Sequence, residues 1–218
     1  MTRYFVAGGA GFIGSHLVRQ LLDEPDSTIT IFDNFSSGRE WHLGAALTDN
    51  RLRIVRGDIR DLPSVTAAMR EHDHVYHLAS NPDIARAVTR LDNDFWEGTY
   101  LTQNVLEAMR TNGVKHLTYA SGSGVYGDTG TVPVFEDYSP LLPISTYGAS
   151  KLAGEALIGA YCHMFEFNAL AFRFANVGCD IITVTNDILK KLDAVGKNLD
   201  EFSLETGSEM TRSQPAIR

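Results

Sequence analysis

Apolar residues recur along this chain with two alternating periods. Short strand-like runs (Tyr4 to Ala7, Thr28 to Phe32, Leu52 to Val55, His74 to Leu78, His116 to Ala120, Asn168 to Phe174) are separated by stretches of helical period. Phe12, Ile13, Leu17, Val18, Leu21 and Leu22 mark a first helix. A second is expected from about Pro63 to Arg70. A long one is expected from about Asp94 to Arg110, with Leu101, Val105, Leu106 and Met109 on one face and Gly113 as its stop. Residues 40–50 read as a surface connection with room for a short helix, and Asn81-Pro82 as a turn. Ser145 to Lys151 opens a further helix. Strands alternating with helices at this spacing predict an α/β fold with a parallel sheet covered on both faces. There are no internal repeats and no low-complexity segments.

Composition narrows the function classes. The 218 residues suffice for one domain with a full core, or one domain and a partial second. A net charge of −8 argues against general nucleic-acid binding and against an anionic membrane surface. No run of 18 apolar residues is present, so no transmembrane helix is expected. A strand by Tyr4 leaves no room for a signal peptide, and two cysteines, Cys162 and Cys179, make neither a disulfide framework nor a four-ligand metal site. Cys162 reads as a small core residue, and the expected compartment is the cytoplasm.

The densest chemistry lies between the first strand and the first helix. Gly8, Gly11 and Gly14 stand three apart where the chain turns from strand to helix. Glycine lets the backbone turn sharply and lets a pyrophosphate approach the amides, and the free N–H groups of the helix attract the anion. Such a motif alone also fits a tight turn without a ligand. Asp33 tips the balance: it ends the second strand about 20 residues past the loop, where a ribose-binding carboxylate belongs. Together they predict a Rossmann-type, doubly wound sheet. A carboxylate at that position prefers NAD to NADP, a preference that nearby Arg39 blurs. Asn34, Ser36, Ser37 and Gly38 form a polar loop suited to the adenosine half. Asp58-Ile59 suits an adenine edge and face, and is compatible with a helix start in which Asp61 is the cap. Leu78, Ala79 and Ser80 leave room for a cofactor over the strand ends. His72, His74 and His77 do not share a helical metal-binding face, and no metal is expected.

Ser121-Gly-Ser-Gly-Val-Tyr-Gly leaves the fifth strand at the carboxyl edge of the sheet, where ligands bind in such folds. Further on, Tyr147 and Lys151 are four apart on one helical face. A phenol of pKa about 10 is a poor base at neutral pH, and moving it down by about three units takes about 4 kcal/mol. A neighbouring ammonium and a positive nicotinamide ring would act in that direction. An isolated Tyr-x-x-x-Lys more often means a packed tyrosine and a solvated lysine.

Gly8-x-x-Gly11-x-x-Gly14, Asp33, Asp58-Ile59, His77-Leu78-Ala79, Val125-Tyr126-Gly127, Tyr147-x-x-x-Lys151 and Phe172-Arg173-x-x-Asn176 occur in that order. In this the chain resembles the extended short-chain dehydrogenases/reductases, in their NAD-dependent epimerase/dehydratase branch of the UDP-glucose 4-epimerase type, over residues 1–178. The resemblance implies tightly held NAD on Gly8, Gly11, Phe12, Ile13 and Gly14, on Asp33, Asn34 and the 36–38 loop, on Asp58 and Ile59, on Leu78, Ala79 and Ser80, and on Ser121, Tyr147 and Lys151. It also implies a nucleotide-diphosphate (UDP) sugar substrate and a homodimer built on helices near 94–110 and 147–165. Tyr147 would take the sugar hydroxyl proton while hydride passes to the nicotinamide. Lys151 would hold the nicotinamide ribose and lower the tyrosine pKa. The 4-keto sugar would rotate and take the hydride back on its other face. Ser123, Tyr147 and Asn176 would contact the sugar.

The chain departs from that pattern at three places. The Ser or Thr expected three residues before Val-Tyr-Gly is Gly122, flanked by Ser121 and Ser123, either of which could substitute; Ser123 is the expected stand-in. The Asn expected before Gly98-Thr99 is Phe95. The dehydratases' Asp-Glu pair is Ser123-Gly124, which favours epimerisation over water loss. After Asn176-Val-Gly the resemblance fades. Ile188, Leu189 and Leu192 keep a helical pattern, and residues 198–218 show weak periodicity and read as a poorly ordered tail. The expectation is an NAD domain at 1–178 and a reduced sugar-binding segment at 179–218. Two functions follow: a nucleotide-sugar 4-epimerase working through Tyr147, or a non-catalytic NAD-binding protein that keeps the Rossmann half.

Overall fold

The computed structural model describes residues 1–81, 83–175, 185, 188–190 and 203–205. Pro82, Asn176, Cys179, Leu192 and most of the 179–218 segment, on which expectations above fall, lie outside the described residues.

Among the described residues seven strands form one parallel sheet in the order β3-β2-β1-β4-β5-β6-β7. They are β1 (Thr2–Ala7), β2 (Ser27–Asp33), β3 (Leu52–Arg56), β4 (His74–His77), β5 (His116–Gly122), β6 (Asn168–Phe174) and β7 (Ser203–Glu205). The helices are α1 (Phe12–Asp23), α2 (Leu62–Ala68), α3 (Tyr100–Asn112) and α4 (Thr146–Phe165). Strand order reverses between β1 and β4, which opens a crevice at their carboxyl ends.

The two-residue period of the strands sorts side chains onto the two faces. Phe5, Phe32, Val75, Leu117 and Ala169 meet Val65, Val105, Met109 and Ile158 from α2, α3 and α4. Val6, Ile31, Tyr76, Leu170 and Phe172 meet Leu17, Val18 and Leu21 of α1, with Leu43 and Ile188 beside them. Both layers are buried, so every strand of the crevice is backed by packed side chains and its end is held in place.

Several boundaries differ from the pattern-based expectation for local reasons. β1 starts at Thr2, because its polar end pairs with Ser27 and Thr28. β4 stops at His77, since the Leu78 and Ala79 amides both turn onto the Ala7 carbonyl. β5 runs to Gly122, carried by pairing with Arg173 and Phe174. The long helix is two pieces: a wide π-type turn at Phe95–Thr99, then α3. It ends at Gly113 in the left-handed region, φ 70°. Residues 40–48 form 3-10 turns kinked at Gly44. Ser203–Glu205, which the sequence leaves without periodicity, pair with Leu170 to Phe172 as an edge strand. No helix among the described residues is long and apolar enough to cross a membrane.

Candidate functional site

The glycine loop is built by exclusion. Gly8 sits at φ +83°, and a Cβ there would lie 2.7 Å from the Ala79 nitrogen. A Cβ on Gly14 would lie 2.4 Å from the Gly8 oxygen, so α1 starts hard against the turn. Gly11 caps α1 without any side-chain bond, which leaves the first amides of the helix free for an anion. Asp33 is buried at the end of β2. Its Oδ2 accepts from the Ala10 amide at 2.9 Å and its Oδ1 from the Phe35 amide at 2.8 Å. It therefore locks the glycine loop as well as presenting a carboxylate to the crevice.

Gly8, Gly11, Asp33, Asn34, Ser36, Ser37, Asp58, Ile59, Leu78, Ala79 and Ser80 line one cavity, which Phe32, Gly57, Glu97 and Leu101 complete. Asp58 is clasped by Arg60, whose guanidinium lies 2.5 Å from Oδ2 and reaches Glu97 at 3.1 Å. That contact holds the Asp58 carboxyl below the usual range, so it is an acceptor at neutral pH. Asp61 caps α2 through the Ser64 amide. Arg39 spends donors on the Gly38 and Phe35 carbonyls. Phe12 is not part of this lining; it is half exposed and packs edge-on against His16. Gly38 lies under Ala10, where a Cβ would sit 2.9 Å from the alanine Cβ. Uncapped amides, a turn that admits no Cβ, and two ordered carboxylates fit a dinucleotide.

A second cleft opens beside the first and shares Leu78 and Ser80 with it. Ile13, Ser121, Gly122, Ser123, Tyr147 and Lys151 line it. Ser145 starts α4 by accepting the Gly148 amide at 3.0 Å, and one turn then brings Tyr147 and Lys151 to the same wall. The Lys151 ammonium is buried, donates to the Ala120 carbonyl at 2.7 Å and lies 5.6 Å from the Tyr147 ring centre. Burial pulls its pKa down to about 8, with Glu155 acting in the opposite sense. The Tyr147 phenol is held above its ordinary value, first by burial and then by Asp94, while the Ser80 hydroxyl acts to lower it. In the chain alone, loss of water sets the direction at Tyr147, and Lys151 spends a hydrogen bond on the backbone.

The loop after β5 also differs from expectation. The Ser121 hydroxyl points inward and donates its proton to Glu155 Oε1 at 2.5 Å, while the residue still lines the cleft. Ser123 is exposed in a 3-10 turn at the cleft wall. Gly122 is extended (φ −161°, ψ 156°), and a Cβ there would meet only the Phe174 oxygen, at 3.6 Å.

Beneath this loop lies a group that sequence reasoning missed. Arg173 of β6 and Glu155 of α4 form a buried ion pair at 2.8 Å; Arg173 also donates to the Glu136 carbonyl and stacks over Tyr126. The signal was present: a single charge in the apolar run of β6 requires a partner, and Glu155 is one helical turn past Lys151. His74 and His77 bond Thr118 and Thr102 respectively. Among the described residues no three His, Cys, Asp or Glu side chains are placed to hold a metal. Cys162 is half-buried, and burial pushes its thiol up to about 11.

A profile of the "NAD dependent epimerase/dehydratase family" matches residues 4–183. The chain belongs to the NAD-dependent epimerase/dehydratase family. It is 32% identical over 176 residues to a UDP-glucose 4-epimerase of Corynebacterium glutamicum, covering 80% of this chain and 51% of that protein. It is 35% identical over 179 residues to a dTDP-glucose 4,6-dehydratase of Streptomyces antibioticus, covering 78% of this chain and 52% of that one. A crystal structure of a UDP-galactose 4-epimerase superposes with a TM-score of 0.84 at 30% identity, covering 94% of this chain and 76% of the other. The chain thus spans about half the length of the curated relatives it matches. Epimerases and dehydratases both stand among this member's relatives, so the reaction has to be argued from the cleft.

Proposed function

We propose that this chain is a nucleotide-sugar epimerase of the UDP-glucose/UDP-galactose 4-epimerase type, holding NAD in the glycine-loop cavity and the sugar in the adjoining cleft. The observation that carries the reading is the adjacency of the two spaces, which share Leu78 and Ser80, with Tyr147 and Lys151 on the wall of the second. Bound NAD supplies the acceptor and donor of a hydride. Tyr147 takes a proton from a sugar hydroxyl and returns it. Lys151 orients the cofactor ribose and presents a positive charge to the cleft. Asp33 receives the adenosine ribose, and Asp58 and Ile59 the adenine. Ser123 stands in for the hydroxyl absent at Gly122, and Asn176 completes the sugar contacts. A homodimer through the segments near 94–110 and 147–165 belongs to the same proposal.

Epimerisation is favoured over dehydration because Ser123 and Gly124 offer no acid–base pair for removing water. A second reading, NAD binding without turnover, is favoured by one observation: no side chain at Gly122 reaches the cleft. The test is to denature the purified chain, look for released NAD, and incubate native protein with UDP-glucose and with UDP-galactose. Bound NAD and interconversion that vanishes in Tyr147→Phe support the epimerase. Bound NAD without turnover supports the second reading.

A further inference from the structure

Two loops meet beside Tyr147, and a buried carboxylate joins them. The first leaves β4 through Ser80 and Asn81. The second enters α4 through Ser145, Thr146 and Tyr147. Asp94, 1% exposed, lies between. Its Oδ1 accepts from Asn81 Nδ2 at 2.7 Å and its Oδ2 from Thr146 Oγ1 at 2.6 Å. Asn81 is fixed in turn: Nδ2 also donates to the Asp83 carbonyl and Oδ1 accepts the Asp83 amide, both at 2.9 Å. The carboxylate is therefore strapped to the neighbour of Ser80 on one side and to the neighbour of Tyr147 on the other.

What the strap delivers is a hydroxyl without another use. Ser80 Oγ is buried and has no hydrogen-bond partner of normal geometry among the described residues. Buried polar groups are nearly always paired, so an orphan beside a catalytic candidate calls for an explanation. Ser80 lines both the cofactor cavity and the sugar cleft, the latter together with Tyr147.

We propose that Ser80 and Asp94 are positioning residues for Tyr147: Asp94 holds the two loops in register, and the Ser80 hydroxyl so placed donates a hydrogen bond to the tyrosine oxygen when that oxygen carries charge. The proposal rests on reading Tyr147 as the acid–base group. The two act in opposite senses. A donor favours the phenolate, and a buried negative charge favours the phenol. The other charged or titratable groups around Tyr147 are Lys151 on α4 and Tyr119 on β5, with Glu155 acting on Lys151 and itself neutralised by Arg173. Opposed influences keep the phenol able both to take and to return a proton, as an epimerisation requires.

The test is an ultraviolet titration of Tyr147 in the full chain, read as the difference between each variant and the same variant carrying Tyr147→Phe. Asp94→Asn keeps an acceptor for Asn81 and a group that bonds Thr146, and removes the charge. It is expected to lower the phenol midpoint by about half a pH unit or more, a threefold change in phenolate fraction. Ser80→Ala is expected to raise the midpoint, and Ser80→Thr to restore it. An unmoved midpoint in either Asp94→Asn or Ser80→Ala overturns the proposal. If Asp94→Asn does not fold, the Ser80→Ala and Ser80→Thr pair decides alone. The titration needs no sugar turnover, so a chain that fails as an epimerase still gives an answer, and a working epimerase with unmoved midpoints refutes only this inference.

Discussion

Replacing Glu155 by glutamine removes one charge from a pair that water does not reach. The side chains of Arg173 and Glu155 are 2% and 4% exposed, and Nε and one terminal nitrogen of Arg173 bond the carboxylate at 3.0 and 2.8 Å. Glutamine keeps the shape and one oxygen for the Ser121 hydroxyl, so no cavity confounds the change. What remains is an uncompensated buried guanidinium, which costs about 3–5 kcal/mol. At roughly 2–4 °C per kcal/mol for a domain of this size, Tm falls by roughly 6–20 °C. The double variant Glu155→Gln/Arg173→Met buries no charge and is expected to be more stable than the sum of its singles predicts, with a coupling of about 1–3 kcal/mol. Thermal and urea unfolding of parent, singles and double form the cycle. A Glu155→Gln protein melting within about 2 °C of the parent would refute the account of the floor beneath the cleft.

Three further outcomes follow from the same geometry. Gly8→Ala forces both an unfavourable φ and a Cβ 2.7 Å from the Ala79 nitrogen, and is expected to abolish NAD retention, read by nucleotide release after gel filtration. Lys151→Met is expected to raise stability while abolishing turnover. A buried lysine at about 8 against the ordinary 10.5 is destabilising by about 3 kcal/mol wherever it is protonated in both states, so the gain is full below pH 8 and fades between about 8 and 10.5. Unfolding in urea at neutral and at alkaline pH checks the sign. Gly122→Ser has room for its side chain, with the Phe174 oxygen 3.6 Å from the new Cβ, and is expected to leave kcat nearly unchanged because Ser123 already supplies the donor; a rise of about tenfold or more would show that Ser123 does not stand in.

Much of the cofactor half was legible because its constraints are local. Gly8 and Gly14 are dictated by turn sterics, and Asp33 by the end of a strand, both visible as spacing. The alternation of strand-like runs with stretches of helical period gave the parallel sheet covered on both faces. What spacing does not carry is long-range pairing. Glu155 and Arg173 meet across 18 residues, and Asp94 meets Thr146 across 52. The inward turn of Ser121 follows from the need of that buried carboxylate for donors, a long-range pairing that spacing does not carry. Motif spacing locates Lys151 beside Tyr147 but does not report how much water the fold removes from the tyrosine. The edge strand Ser203–Glu205 has no periodic signal; its partner in β6 supplies the register.

The central claim is that Tyr147, set beside a bound nicotinamide, moves the proton that accompanies hydride transfer from a nucleotide sugar. Its most direct measurement is a single-turnover experiment on the NAD-loaded chain, mixing with UDP-glucose or UDP-galactose and following the near-ultraviolet absorbance of reduced nicotinamide. A transient that rises and decays in the parent, and whose rise slows at least a hundredfold in Tyr147→Phe (about 3 kcal/mol of barrier), is the predicted result. A loaded chain that shows no reduction with either sugar, or one that reduces equally fast in Tyr147→Phe, would contradict the account.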